Sequence, residues 1–433
     1  MPKSPSTLTA VVAAAAATVA DSRDETPLTW RHTPWFLLVV LTAVNTINWA
    51  DRQVVPILFP GIRDDLGLSD TQLGIIGGLA FSLVYAVSSF VFGRAADRRI
   101  RRNIITLGLV LWSLATAAGA FAVDFTTLFA ARFFTGVGEA SLYPAAMSLI
   151  AERFPVASRG RAMGLFGAAA ALGGGLGIGL GGVLAEALGW RNVFLVYGLA
   201  GLLLIPLVLA LPEQPRKHVD ADGENLGNVL AKLATDPRLI TIWIAGMMMM
   251  AAGIGYAAWI PSFFVRDRGL DVSQAGMLFG FAMLIGGVAG ALMGGFGADR
   301  ARKKRLAGEL DVSALAALVA VPVAAGTLAV VYPPVFIACG LLTPMFVFAF
   351  FPPLQTVIVE IVPPRQHGLA YAINILFLGG IGTAMGPFVV GAVSDMTQSL
   401  TAGIYVSVAG LGLAAILIHI AGRVVRAYAP ADE

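Results

Sequence analysis

The sequence predicts an all-α membrane protein of twelve transmembrane helices, arranged as two pseudo-symmetric six-helix bundles around a central cavity. Three observations carry that prediction. The 433 residues are 57% hydrophobic and only 13% charged, with a mean hydropathy of +0.80, whereas a soluble domain carries about 25% charged residues. Apolar runs near the ~20 residues needed to cross a bilayer recur throughout. Several segments of the first half reappear, altered, in the second.

The spans centre on 35–59, 71–92, 104–122, 127–150, 162–188 and 191–210, then on 238–263, 275–295, 312–331, 334–359, 369–393 and 402–422. Residues 1–30 precede them. The run VVAAAAATVA there loosely imitates a signal peptide's apolar core, but acidic DSRDE and then a true span follow it, so 1–30 is expected to be a disordered cytoplasmic tail. The first bundle occupies 31–211, a polar cytoplasmic linker 212–236, the second bundle 237–423 and a short tail 424–433. Prolines 56, 206, 261, 322, 344 and 352–353 are read as kinks or helix ends.

Basic residues set the orientation. With the N-terminus inside, 23 of the 29 Lys and Arg residues fall on the inner side. Four fall outside (Arg63, Arg191, Arg266, Arg268) and two inside spans (Arg52, Arg132). The positive-inside rule therefore puts both termini in the cytoplasm, the membrane being the inner (plasma) membrane if the source is bacterial. The pI near 9.1 is explained by these membrane-flanking loops and calls for no nucleic-acid partner. One cysteine, Cys339 in the tenth span, leaves no intramolecular disulfide.

The repeat decides the architecture. GLSDTQLG at 67–74 returns as GLDVSQAG at 269–276, and GRAADRRIRR at 93–102 as GFGADRARKK at 295–304, both 202 residues later. PVASRGRA at 155–162 corresponds to PPRQHGLA at 363–370, and GGGLGIGLGG at 173–182 to IGTAMGPFVVG at 381–391, where the offset has drifted to 208–209. Two parallel six-span repeats around a midplane site are how a secondary transporter is built, with a monomer as the default state.

Four charges stand mid-span: Asp51 and Arg52 in the first, Arg132 and Glu139 in the fourth. Each ionised side chain at a helix centre costs roughly 2.5–3.5 kcal/mol, so the four must face one another or a wet cavity. Arg132 and Glu139, two turns apart, share a face. Asp51 and Arg52 point about 100° apart. The economical arrangement is Asp51 near Arg132 and Arg52 near Glu139, or one shared cluster. The repeat counterparts, Gly253-Ile254 and PVFIACGLL, are uncharged, which argues against charges needed merely to hold a bundle together. The cavity then has a charged wall from the first half and an apolar wall from the second, for which Met247–Met250, Tyr256, Trp259, Phe346 and Phe350 are the candidates. Such a cavity suits a charged head with a hydrocarbon tail. A carboxyl at Glu139 or Asp51 whose distance from arginine changes with conformation will change its proton affinity, which is sufficient for proton coupling. Arg132 or Arg52 would hold a phosphate or carboxylate.

The motifs resemble a known family. GRAADRRIRR looks like the loop signature after the second helix of the major facilitator superfamily, with GADRARKK as its degenerate copy. RFFTGVGEAS at 132–141 and NWADRQVVP resemble the fourth and first helices of the Spinster-type lipid transporters. The resemblance covers nearly the whole chain beyond residue 30. It implies transport of sphingoid-phosphate or lysophospholipid-like amphiphiles by alternating access, with proton coupling. It further implies a cytoplasmic gate at Gly93, Asp97, Arg98 and Arg101, with Asp299-Arg300 as the weaker counterpart, latching the cytoplasmic side in the outward-open state. One departure matters: Ile178 stands where the antiporter glycine motif carries proline, whereas the second half has Gly386-Pro387.

Other chemistry is poorly represented. No His/Cys/Asp cluster has metal-ligand spacing, and neither G-x-S-x-G nor H-E-x-x-H occurs, so neither metal nor enzyme is expected. Gly177-x-Gly179-xx-Gly182 matches a dinucleotide fingerprint but lies in an apolar span without a preceding strand. No cofactor is expected beyond a coupling proton. Two alternatives stay open: a symporter of a small organic anion or sugar acid, and an amphiphile sensor or passive scramblase. Glu186, Glu360, Asp395 and His419 fall near span ends and are read as interfacial.

Overall fold

The computed structural model describes residues 33–212, 226–363 and 366–428, and among them it is helical with no strand. The tail 1–30 and most of the linker lie outside the described residues; the linker's last part is a helix, Leu226–Thr235. Among the described residues, ten helices are long and apolar enough to cross a membrane. Two more complete the twelve, and they are the two that carry the central charges.

In order, α1 is Pro34–Leu66. α2 spans 70–98 as Asp70–Gly74, a π-helical turn Ile75–Leu79, and Ala80–Arg98. α3 is Arg101–Gly119. α4 is broken directly after Glu139 into Phe125–Glu139 and Leu142–Arg153. α5 is Val156–Leu188, and α6 is Trp190–Leu203 with Ile205–Leu209. The second half runs α7 Pro237–Arg266, α8 Val272–Arg302, α9 Gly308–Ala329 and α10, Pro333–Ala349 with Phe351–Ile361. α11 spans 367–397 around a second π-helical turn, Leu376–Gly382. α12, Leu400–Ala427, runs into the stretch expected to be tail.

The repeat is visible in how helices start. Gly67 and Gly269 are both left-handed, at φ 64° and 68°, a conformation that costs glycine nothing. Each is followed by a capping box, Ser69 with Gln72 opening α2 and Asp271 with Gln274 opening α8, 202 residues apart. Outward-facing apolar side chains such as Leu107, Leu203, Phe281 and Leu318 are exposed all round the helices, as a bilayer-facing surface requires.

The halves meet through α5 against α8 and α2 against α11. Every hydrogen bond and ion pair between described residues of the two halves lies at the end where α2 and α8 begin. One apolar core runs there across both halves, joining Phe59 and Ile62 to Trp259 and Phe263. Toward the Arg-rich end the first half keeps a separate core of Leu41, Ile105, Trp112, Leu149 and Phe166. The molecule is thus closed at one end and parted at the other.

Candidate functional site

The site grows from the break in α4. Gly138 lies against the backbone of α3, where an added Cβ would meet the Trp112 nitrogen at 2.6 Å, so only glycine permits this approach. That contact brings Thr116 and the charged face of α4 up to α1. Arg52 Nη2 reaches Glu139 Oε2 at 2.9 Å and its Nε reaches the same oxygen at 3.2 Å. Arg132 Nη1 stands 3.7 Å from Asp51 Oδ1, and Thr116 donates its hydroxyl to Asp51 Oδ2 at 2.6 Å. Both arginines lie over the ring of Phe81, at 4.7 and 5.3 Å from its centroid. Of the two arrangements the sequence allows, the structure has the crossed pairs, and the Phe81 ring joins them.

Burial separates their roles. The Asp51 and Arg132 side chains are 2% and 3% exposed, sealed from any cavity. Arg52 keeps 17% exposure and is ringed by Trp49 and Tyr85 at 4.7 and 4.4 Å as well as Phe81. It alone among the four is reachable, and its box offers both charge and aromatic faces. Glu139 Oε1 is buried without a partner, so one of its oxygens is uncommitted.

The expected apolar wall needs correction. Met247, Met250 and Phe346 are partly exposed. Tyr256, Trp259 and Phe350 are buried and face no cavity. Tyr256 donates to Thr327 Oγ1 at 2.9 Å inside the second bundle, and Phe350 gives its carbonyl to Ser313. Trp259 donates to the Pro387 carbonyl and packs on Phe59, sealing the closed end. Helix rotation turns all three into the core, where the Tyr256 hydroxyl and the Trp259 indole N–H each find the partner that a buried Tyr or Trp requires. The second half also holds polar groups that composition hid. Asn374 Nδ2 donates to Gln355 Oε1 at 3.3 Å, leaving Asn374 Oδ1, Gln355 Nε2 and the nearby helix's Trp243 Nε1 buried without partners.

At the Arg-rich end, the Asp97 side chain lies outside what the structure describes. Gly93 is partly buried beside Pro144, and Arg98, Asp299 and Arg300 are exposed. Arg101 is buried and donates to Ser148 at 3.1 Å and Glu152 at 2.5 Å, both in α4 of its own half. In the second half Arg302 pairs with Glu360 at 2.5 Å. Glu152 and Glu360 lie outside the gate motif, yet they are 208 residues apart, at the repeat's own offset. No group of His, Cys, Asp and Glu among the described residues could hold a metal ion.

Twelve helices in two repeat-related halves, with four charges sequestered inside the first, make up a multi-pass membrane transporter rather than an enzyme. The chain belongs to the Major Facilitator Superfamily, whose family model matches residues 41–387. An "MFS-type efflux pump" of Mycolicibacterium smegmatis is 32% identical over 86% of this chain and 88% of its own length. A "Probable galactarate/D-glucarate transporter" of Bacillus subtilis is 29% identical over 62% of this chain and 66% of its own. "Protein spinster" of Drosophila melanogaster is 27% identical over 83% of this chain and 62% of its own. The fold is that of a bacterial homologue of the human lysosomal transporter Spinster, solved inward-facing and unoccupied. Its TM-score is 0.83 at 22% identity, covering 92% of this chain and 99% of that one.

Proposed function

We propose that the protein is a secondary active transporter of an amphipathic, lipid-like anion of the sphingoid-phosphate or lysophospholipid type, working by alternating access with a proton as coupling ion. The observation that carries this reading is the reachable Arg52, boxed by Trp49, Phe81 and Tyr85 and paired to Glu139. A guanidinium suits bidentate contact with phosphate or carboxylate, and the rings beside it give apolar surface to the start of a tail. Protonation of Glu139 ends the ion pair and frees Arg52 for the head group; deprotonation takes it back. The sealed Asp51–Arg132 pair supports that exchange from below. With basic residues on the cytoplasmic side, the parted end is the cytoplasmic one, both termini lie inside, and a monomer suffices.

A second reading is symport of a small sugar acid: the amide atoms of Asn374 and Gln355 that lack partners are buried here, and would suit hydroxyl groups in a conformation that uncovers them. The Bacillus relative's name adds to it. Proteoliposomes with an imposed pH gradient decide between them. Gradient-dependent movement of lysophospholipid or sphingoid phosphate, lost in Glu139→Gln, supports the first; movement of glucarate alone overturns it. Binding of amphiphile with no accumulation of either would mean a sensor or scramblase.

A further inference from the structure

At the closed end, two carboxylates each reach across to the start of a helix in the opposite half. Asp395, near the end of α11, accepts from the Asp70 and Thr71 amides at 3.1 and 2.7 Å and from the Thr71 hydroxyl at 2.5 Å. Glu186, near the end of α5, accepts from the Ser273 amide at 2.9 Å at the start of α8. These contacts are one contact repeated. Ser273 lies 202 residues after Thr71, and Asp395 lies 209 after Glu186, the offsets of the repeated segments themselves.

The chemistry of the helix starts explains why a foreign carboxylate fits. The first four amides of a helix have no partner within it. In α2 the Ser69 hydroxyl takes the Gln72 amide, the third in line, and leaves the first two open. Those two are the amides that Asp395 accepts. In α8, Glu186 accepts from the second. The helix dipole favours an anion at each place, and the backbones are close enough for it: an added Cβ on Gly182 would meet the Val272 carbonyl at 2.7 Å, and one on Gly74 would meet Phe388 Cα at 2.9 Å.

We propose that Glu186 and Asp395 are positioning residues for the transport step, a two-fold-related pair of inter-half caps that hold this end shut and let go together when it opens. They are unequal. Beside Asp395, Asp70 is 2% exposed and is held across the interface by Arg266 at 2.9 and 3.0 Å and by the Ser394 hydroxyl at 2.6 Å. The repeat counterparts of Asp70 and Ser394 are Val272 and Ala185, so the Glu186 cap is unreinforced and exposed. Opening does not strand Asp70, because Arg63 of its own half already stands 3.3 Å away.

The inference rests on the alternating-access reading but not on the cargo, and its test needs no substrate. With Cys339 replaced by serine, spin labels at Val123 and Met396, exposed residues of opposite halves outside this network, report the width of the closed end by pulsed electron resonance. Asp395→Asn is expected to raise the ratio of open to closed populations about tenfold and Glu186→Gln about threefold, as loss of hydrogen bonds to a charged acceptor implies. The double variant should exceed either, and Asp395→Glu should restore most of the closed population. Unchanged melting temperatures would separate this from general loosening. If the parent samples two distances and neither variant alters their ratio, the caps do not hold the end. If no variant or pH produces a second distance, alternating access itself fails and this inference with it.

Discussion

Removing the charge on Asp51 should cost folding energy that removing Arg132 as well largely restores. The two stand 3.7 Å apart with side chains 2% and 3% exposed, and at an effective dielectric near 20 that separation corresponds to roughly 4.5 kcal/mol of attraction. Arg132 Nε and Nη1 have no hydrogen-bond partner, so apart from the Phe81 ring Asp51 is its main compensation. Breaking a buried pair from one side costs about 3–5 kcal/mol, whereas replacing both partners by neutral groups is often close to neutral. Asp51→Asn and Arg132→Met should therefore each destabilise by about 3 kcal/mol, and the double variant by about 1 kcal/mol. Reversible unfolding in mixed SDS micelles, followed by tryptophan fluorescence, gives the three values. Additivity of the single variants within ~0.5 kcal/mol would refute the pairing.

Glu139→Gln should abolish gradient-driven accumulation while leaving anion binding at least as tight, since Arg52 is then permanently free; a five- to 150-fold loss of coupling is the usual scale, read from uptake with and without the gradient. Gly276→Ala puts a Cβ 2.9 Å from the Gly182 Cα and the Ile178 carbonyl of the other half, so it should open the closed end at a cost of about 1–3 kcal/mol, seen as faster labelling of cysteines placed there. Asp236 caps α7, accepting from the Arg238 amide at 2.9 Å, and Asp236→Ala should lower stability by about 1 kcal/mol. Although partial burial pushes the Asp236 carboxyl up, its hydrogen bonds from Arg238 leave it below the usual carboxylate range. Its stabilising effect is therefore fully present above that range and fades as the pH falls through the lowered value, so melting curves of the parent and variant should converge only in acid.

The sequence was most informative where a residue's cost exposed its partner. Asp51, Arg52, Arg132 and Glu139 could not be left in hydrocarbon unpaired, and angular spacing along two helices narrowed their arrangement to crossed pairs or one shared cluster. Capping boxes were legible for a similar reason: Ser69 with Gln72 and Asp271 with Gln274 satisfy local backbone groups that must be satisfied somewhere. Burial within an apolar run was not legible. A tyrosine or tryptophan there faces lipid, cavity or core according to helix rotation, which composition does not encode, and Tyr256, Trp259 and Phe350 went to the core. Glu186 and Asp395 resembled ordinary span-end charges because their partners are backbone amides, which carry no residue identity. The amide pair Asn374–Gln355 left no signal in the sequence, because two isolated polar residues barely alter the hydropathy of their spans.

The π-helical turns are placed unevenly. α2 and α11 each carry one and face each other, while α5 and α8 are continuous over Val156–Leu188 and Val272–Arg302. A π turn interrupts the regular ladder and is a common place for a helix to bend. One seam between the halves is therefore made of two stiff rods and the other of two jointed ones. Like a door, the molecule then has a hinge post and a swinging edge.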